Sequence, residues 1–287
     1  MPAPLNETTA WSLLRAVASG AAGAGPAVRV HHNASEDVWL HVEPTGSWRT
    51  SVPVSDEARE LLALYLPLQL APDLVIGQIG QSLDGRIATA QGHSHYITGP
   101  ADITRLHRLR ALVDAVVVGA GTVAADDPQL TVREVEGENP VRVVLDPSGR
   151  LSPDRAVFTD GEARTLVIHR APDGDVGMTS DGNVLTLPTT GRDDTDGPPG
   201  FAPASVVEAL HTRGLRRILV EGGGVTVSRF LQAGALTRLH VAVAPLLIGS
   251  GAPALTLPPI RSLDQALRPP CRLFRLGDDV LFDLDLG

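Results

Sequence analysis

Two guanidinium groups and two glycine turns carry most of the chemistry legible in this chain. From Ser82 to Arg133 it reads SLDGRIATAQGHSHYITGPADITRLHRLRALVDAVVVGAGTVAADDPQLTVR. Arg110 and Arg133 stand there beside Gly119-Ala-Gly-Thr122, an arrangement suited to a phosphate-bearing ligand and a nucleotide meeting in one cleft. Further on, Arg217-Ile-Leu-Val-Glu221 runs into Gly222-Gly223-Gly224 and a short helical stretch, Val225 to Gln232. Three glycines at a helix start expose backbone N–H groups to a diphosphate, and the helix dipole adds to the attraction. The same letters also describe a flexible strand-to-helix turn without a ligand.

The elements that must hold these groups follow from local chemistry. Gly99 and Pro100 suit the N-cap and first turn of a helix, where the missing proline N–H costs nothing, and Asp102 lies near the positive end of its dipole. At 100° per residue Ile103, Leu106, Leu109 and Val113 fall on one apolar arc. Arg110 falls inside that arc, so its guanidinium must either snorkel out or find an anion. Ala115–Val118 is a short apolar run typical of a buried strand. Gly119, Gly121 and Ala124 match the spacing of a dinucleotide fingerprint. Pro128, however, arrives before a proper helix can follow, so Ala125–Arg133 is expected as an ordered loop with Asp126 and Asp127 forming a turn. No acidic residue sits near position 241, about 20 residues beyond the second turn, where a Rossmann-type fold places its ribose hook. Ordinary NAD recognition is therefore not expected.

The segments SLDGRIAT, GHSHYIT, LHRLRALVDAVVVGAGTVAADDPQLTVR, VRVVLD, LVEGGG and LHVAVAPLLIG together resemble the reductase domain of bacterial riboflavin biosynthesis. The resemblance runs from about Asp73 to the C-terminus. It implies a dihydrofolate-reductase-like α/β fold, a mixed sheet flanked by helices, and a homodimer. It also implies reduction of a 5-amino-6-ribosylamino-pyrimidinedione phosphate with NADPH, which opens the ribose to a ribityl chain. On matching positions it puts Ser94, Arg110, Leu130, Arg133 and Glu221 around the substrate, with the two arginines on its phosphate. Gly80, Tyr96, Thr122, Asp126, Ser148 and the turn Gly222, Gly223, Gly224, Val225 and Thr226 would line the NADPH site. Two positions depart from the family pattern: Gln78 stands where lysine is common, and Tyr96 where tryptophan is common. The second keeps a stacking ring, whereas the first removes a cation beside the substrate.

Hydride transfer needs no protein nucleophile, only placement of the nicotinamide carbon near an electrophilic carbon and stabilisation of the changing charge. The expected acceptor is an imine at the ribose C1 carbon. Glu221 would orient the substrate, or serve simply as a structural acceptor, and the proton would come from solvent or Asp126. Pro147-Ser-Gly-Arg150 offers a hydroxyl, backbone donors and a guanidinium to a ribose 2′-phosphate. A plain proline–glycine turn explains the same residues, so the choice of NADPH rests on the resemblance. Related enzymes carry a zinc deaminase, whose His-x-Glu and Pro-Cys-x-x-Cys hold the metal. His41-Val42-Glu43 has the first pattern, but the only cysteine is Cys271, so no metal site is expected.

Residues 1–70 read as a small α+β extension of unknown role, and 71–287 as the reductase domain. In the extension a helix is expected from Trp11 to Val17, strands at Val28–His32 and Val38–Val42, and a turn at Pro44-Thr-Gly46. A second helix, capped by Ser55, is expected to stop near Pro67. His31 and His32 are adjacent on a strand and point to opposite faces, so they do not make a metal pair.

In the larger part, strands are expected at Val141–Leu145, Thr165–His169, Arg217–Val220 and Leu239–Ala244, and a helix at Ala204–Leu210. Cys271–Leu276 and Val280–Leu284 form a hairpin about Gly277-Asp-Asp279. Asp173–Gly200 reads as a loop with one strand near Val184–Leu187, and His240 as a core or interface histidine.

A net charge of −9 disfavours a broad nucleic-acid surface. One cysteine suits the cytosol, and neither secretion nor membrane spanning is supported. The leading reading is thus a cytoplasmic NADPH-dependent reductase of a small phosphorylated substrate. A reductase of the same fold acting on another heterocycle or imine stands second, and a non-catalytic nucleotide-binding module third.

Overall fold

The computed structural model describes residues 3–17, 27–32, 37–171, 177–179, 182–189 and 200–287, and its chain divides into two compact units, Met1–Leu74 and Val75–Gly287. The first contains α1 (Glu7–Ala16), the antiparallel strands β1 (Val28–His31), β2 (Trp39–Val42) and β3 (Trp48–Thr50), and α2 (Asp56–Leu70). Asn6 caps α1 and Ser55 caps α2, each side chain accepting a backbone N–H three residues on. Two expectations are corrected here. The first helix opens at Glu7, because Asn6 supplies the cap. The second runs through Pro67 to Leu70: burial of Leu62, Tyr65, Leu66, Leu68 and Leu70, with Trp11 edge-on to Tyr65 at 5.8 Å, outweighs the roughly 3 kcal/mol preference against an internal proline.

The second unit is built on a ten-stranded mixed sheet flanked by helices, as the resemblance implied. In chain order it comprises β4 (Leu74–Ser82), β5 (Arg86–Thr89), α3 (Pro100–Leu112), β6 (Ala115–Gly119), α4 (Ala120–Asp126), β7 (Val141–Leu145) and α5 (Ala156–Thr159). Then follow β8 (Thr165–Arg170), β9 (Gly177–Met178), β10 (Val184–Leu187), α6 (Pro203–His211), β11 (Arg217–Val220), α7 (Gly224–Gln232), β12 (Arg238–Ala244), β13 (Gly251–Pro253), β14 (Cys271–Leu276) and β15 (Asp279–Asp285). The sheet order is β14-β15-β12-β4-β11-β6-β7-β8-β10-β9, while β13 pairs separately with β5. Strands β11, β6, β7, β8 and β10 are parallel neighbours, and the β14–β15 hairpin adds the expected antiparallel edge to β12. In the central strands β6 and β11 the stretches Ala115–Val118 and Ile218–Val220 are apolar because both their faces are covered: Val116, Val117, Val118, Ile218, Leu219 and Val220 are all fully buried. Residues 172–176, 180–181 and 190–199 of the loop expected near β10 lie outside the described residues.

The long helix differs from its expected pattern. Ile103 is 38 % exposed and Leu106 half-buried, whereas Asp102, Arg105, His107 and Arg110 are buried with Leu109. Charged groups select this face because each finds a partner inside. Arg105 Nε donates to Asp102 Oδ1 at 2.7 Å, and its Nη1 lies 3.1 Å from Nδ1 of the fully buried His240 on β12. Beyond His240, Asp283 on β15 takes charge-assisted hydrogen bonds from Arg238 and Arg272. His240 is thus the core histidine that its strand position suggested.

Candidate active site at the strand ends

Register brings the two glycine turns together. Val220 of β11 is level with Val117 of β6, so both strands finish at the same edge, and the Glu221 N–H donates to the Val117 carbonyl. Carboxyl ends of adjacent parallel strands are where α/β sheets form ligand crevices. A short helix, α4, does follow Gly119, contrary to expectation. Pro128 does not prevent it, because seven residues fit before Asp127 ends the helix in the left-handed conformation at φ 42°. Thr122 on α4 accepts the Gly223 N–H on its Oγ1 at 2.8 Å, tying the first turn to the second.

The glycines are required sterically at two points. Gly222 has φ +97°, and a Cβ there would lie 2.9 Å from Thr122 Oγ1 and 3.0 Å from Val118 Cγ2. At Gly119 a Cβ would lie 2.6 Å from Thr226 Oγ1. Gly222→Ala is therefore expected to lower stability by about 1–3 kcal/mol through backbone strain alone, measured by urea unfolding.

Beside these turns lies a charged cluster. Arg110 Nε and Nη2 grip the two oxygens of Glu221, each at 2.9 Å, while Nη1 donates to the Thr131 carbonyl at 3.1 Å. The anion demanded by a guanidinium on a buried face is thus found within the chain, at the residue preceding the triple-glycine turn. Arg133 Nη1 donates to Thr131 Oγ1 at 2.5 Å, and its backbone N–H donates to His107 Nδ1 at 3.0 Å. Burial first, and then the Arg110 charge, disfavour the Arg133 cation. An anion placed between the two guanidinium groups would relieve that repulsion.

The remaining expected site residues are placed as follows. Ser94 Oγ donates to Asp126 Oδ1 at 3.2 Å, joining the Gly92–Thr98 segment to the end of α4. Tyr96, at φ 61°, presents a ring that is 94 % exposed. Leu130 is buried and also left-handed, at φ 57°. Left-handed residues other than glycine are uncommon, and the three in the described residues, Tyr96, Asp127 and Leu130, flank this one region. A Cβ at Gly80 would lie 3.1 Å from Thr98 Cγ2 and 3.6 Å from Asp102 Oδ2, so Gly80 lets the start of α3 approach β4. Gln78, two residues earlier on the same face of β4, is buried. Ser148 lies on the exposed turn after β7, whose end is level with Gly119 of β6.

Two residues escaped sequence reasoning. His107 is buried and engaged, and its signal was only its place one turn before Arg110. Asp84, inside SLDGR, accepts Ser82 Oγ at 2.6 Å and the N–H groups of Ile248 and Gly249 at 3.1 and 2.7 Å. These bonds, led by that from Ser82, lower its carboxyl to about 2. It pins the loop after β12.

A family model described as the RibD C-terminal domain matches residues 73–275. The chain belongs to that family. Among relatives of the RibD C-terminal domain family is a 2,5-diamino-6-ribosylamino-4(3H)-pyrimidinone 5′-phosphate reductase of Methanothermobacter thermautotrophicus, 36 % identical over 218 residues, which span 73 % of this chain and 96 % of that protein. The riboflavin biosynthesis protein RibD of Mycobacterium tuberculosis is 34 % identical over 208 residues, 71 % of this chain but 51 % of the relative. The chain thus matches about half the length of that RibD. Among solved structures, Acinetobacter baumannii RibD superposes with a TM-score of 0.62 at 27 % identity, covering 82 % of this chain and 65 % of that one. The Thermotoga maritima deaminase/5-amino-6-(5-phosphoribosylamino)uracil reductase gives 0.59 at 25 %, covering 82 % and 64 %. Membership places the chain among relatives named as a ribosylaminopyrimidinone phosphate reductase and as riboflavin biosynthesis proteins, and solved RibD structures superpose on its mixed sheet flanked by helices.

Proposed function

We propose that the chain reduces a ribosylaminopyrimidine 5′-phosphate with NADPH. One observation carries this reading most: Arg110 joins Glu221, at the head of the glycine turn before α7, to Thr131 in the loop that bears Arg133. Arg133 and the two N–H groups of Arg110 not directed at Glu221 or Thr131 would take the phosphate. The bidentate carboxylate of Glu221 keeps lone pairs for an N–H of the substrate.

The residues present fit the dinucleotide. Gly222 keeps side-chain atoms off the turn, a Cβ at Gly121 would meet nothing within 4 Å, and free N–H groups at the start of α7 would serve an anion there. Gly80, Thr122, Asp126, Ser148 and Gly222–Thr226 would hold it, with the Tyr96 ring beside it and Ser148 and Arg150 toward a 2′-phosphate. When bound, NADPH supplies a hydride for the C1 carbon of the ring-opened imine. Glu221 orients that substrate. A proton from solvent, or from Asp126 held by Ser94, would reach the imine nitrogen, so that with the hydride C=N becomes a ribityl amine. Residues 71–287 would form the reductase domain and residues 1–70 an extension to it.

A homodimer, implied by the family, is supported by a concentration of exposed apolar side chains in one part of the sequence. Leu247, Leu263, Leu267 and Leu273 are each more than 60 % exposed. No described helix is long and apolar enough to cross a membrane, which agrees with a cytoplasmic setting.

The test is anaerobic NADPH oxidation with the ribosylaminopyrimidine phosphate, its diamino and deaminated forms compared, and NADH as the control. Turnover is expected with NADPH, and Arg133→Ala is expected to weaken substrate binding about tenfold to a hundredfold. Oxidation with neither form overturns the substrate assignment. The second reading, reduction of a different heterocycle or imine by the same fold, would then stand, favoured by buried Gln78 in place of a lysine.

A further inference from the structure

His107 has no part in the proposed chemistry, yet it lies within the cluster that would receive the phosphate. It is 3 % exposed and sits one turn before Arg110 on α3. Its Nδ1 accepts the Arg133 backbone N–H at 3.0 Å. A ring nitrogen accepts only when it carries no proton, so the imidazole is neutral with its hydrogen on Nε2. The surroundings enforce that state: burial first, then the charges of Arg110 and Arg133, push the ring down to about 4.

The loop from Thr131 to Arg133 is therefore anchored to α3 at two places. Arg110 takes the Thr131 carbonyl, and His107 takes the Arg133 amide. Arg133 itself is exposed, so the aim of its guanidinium depends on how firmly its backbone is held. A cation at position 107 would set three positive groups side by side and turn a donor toward a donor.

We propose that His107 is a positioning residue for the anionic end of the substrate: its unprotonated Nδ1 fixes the backbone from which Arg133 reaches the phosphate. The proposal rests on the reading of Arg133 as a phosphate ligand. Asparagine carries an acceptor oxygen close to the place of Nδ1, whereas leucine fills the space without one. The experiment compares steady-state kinetics of the full chain, wild type, His107→Leu, His107→Asn and Arg133→Ala, with the ribosylaminopyrimidine phosphate and NADPH.

The expected result is a KM for the phosphorylated substrate roughly tenfold higher in His107→Leu, with kcat and the KM for NADPH unchanged, and recovery to near wild type in His107→Asn. An unchanged KM in His107→Leu, with Arg133→Ala impaired, overturns the role of His107 and leaves the phosphate reading standing. Equal impairment of the leucine and asparagine variants also overturns it, since packing alone would then explain the residue. If Arg133→Ala itself leaves KM unchanged, the phosphate reading fails and this proposal with it. Should the leucine variant not fold, the asparagine variant decides: recovery of wild-type KM supports the acceptor role, and a raised KM refutes it.

Discussion

Arg110→Met is expected to destabilise the protein by about 3–5 kcal/mol, because it leaves the Glu221 carboxylate buried and unpaired. Glu221 is 5 % exposed and takes both of its described side-chain hydrogen bonds from Arg110. Joint replacement, Arg110→Met with Glu221→Leu, is expected to recover most of that loss, since a buried ion pair exchanged for well-packed apolar groups is often neutral. Urea unfolding of the single and double variants measures both effects, and loss of substrate binding should persist in the double variant. A single variant within about 1 kcal/mol of wild type would show that the carboxylate finds water or another donor, and that the pair does not hold the site together.

Acid is expected to weaken the fold well above the usual carboxylate range. His240 is fully buried, and burial foremost pushes it to about 4 from 6.5. The unfolded chain therefore binds a proton at this residue where the native chain does not. Stability is complete above pH 6.5, falls as pH drops toward 4, and loses about 3 kcal/mol over that window from His240 alone. His107, held low by burial and by Arg110 and Arg133, acts in the same direction.

Below that window Asp283 takes over. Its burial alone would raise the carboxyl, but hydrogen bonds from His240 and Arg238 and their charges hold it well below the ordinary range. Protonating it in acid costs further stability. Urea titrations at pH 7 and 4.5 test this: wild type should lose stability, and His240→Asn should lose distinctly less. A stability that stays level between the two values would contradict a neutral, buried His240.

The sequence makes legible what depends on near neighbours. The strand–glycine–helix passages, the Ser55 cap, the β14–β15 hairpin and the misfit of Arg110 on an apolar arc all arise within a few residues, and the motifs around them carry the family. Partnerships across the fold were not visible. Nothing near Arg110 names Glu221 as its counterion, and nothing near His240 names Arg105 or Asp283. For the same reason the buried face of α3 was misassigned at Ile103: apolar periodicity counts side chains, while the packed helix is oriented by Arg105 and Arg110, whose partners are His240 on β12 and Glu221 just beyond β11. Pro67 shows the converse, a local breaker overruled by tertiary packing.

The position of β4 bears on how the chain is made. This strand ends at Ser82, but its neighbours in the sheet, β12 and β11, are drawn from residues 217–244. A ribosome adding 5–20 residues per second leaves β4 without either neighbour for roughly 7–30 s. Throughout that interval its hydrogen-bonding edges are open to other nascent chains. Slower translation lengthens the exposure, so yield of soluble protein should depend on holdase chaperones that shield β4 until the strands on either side emerge.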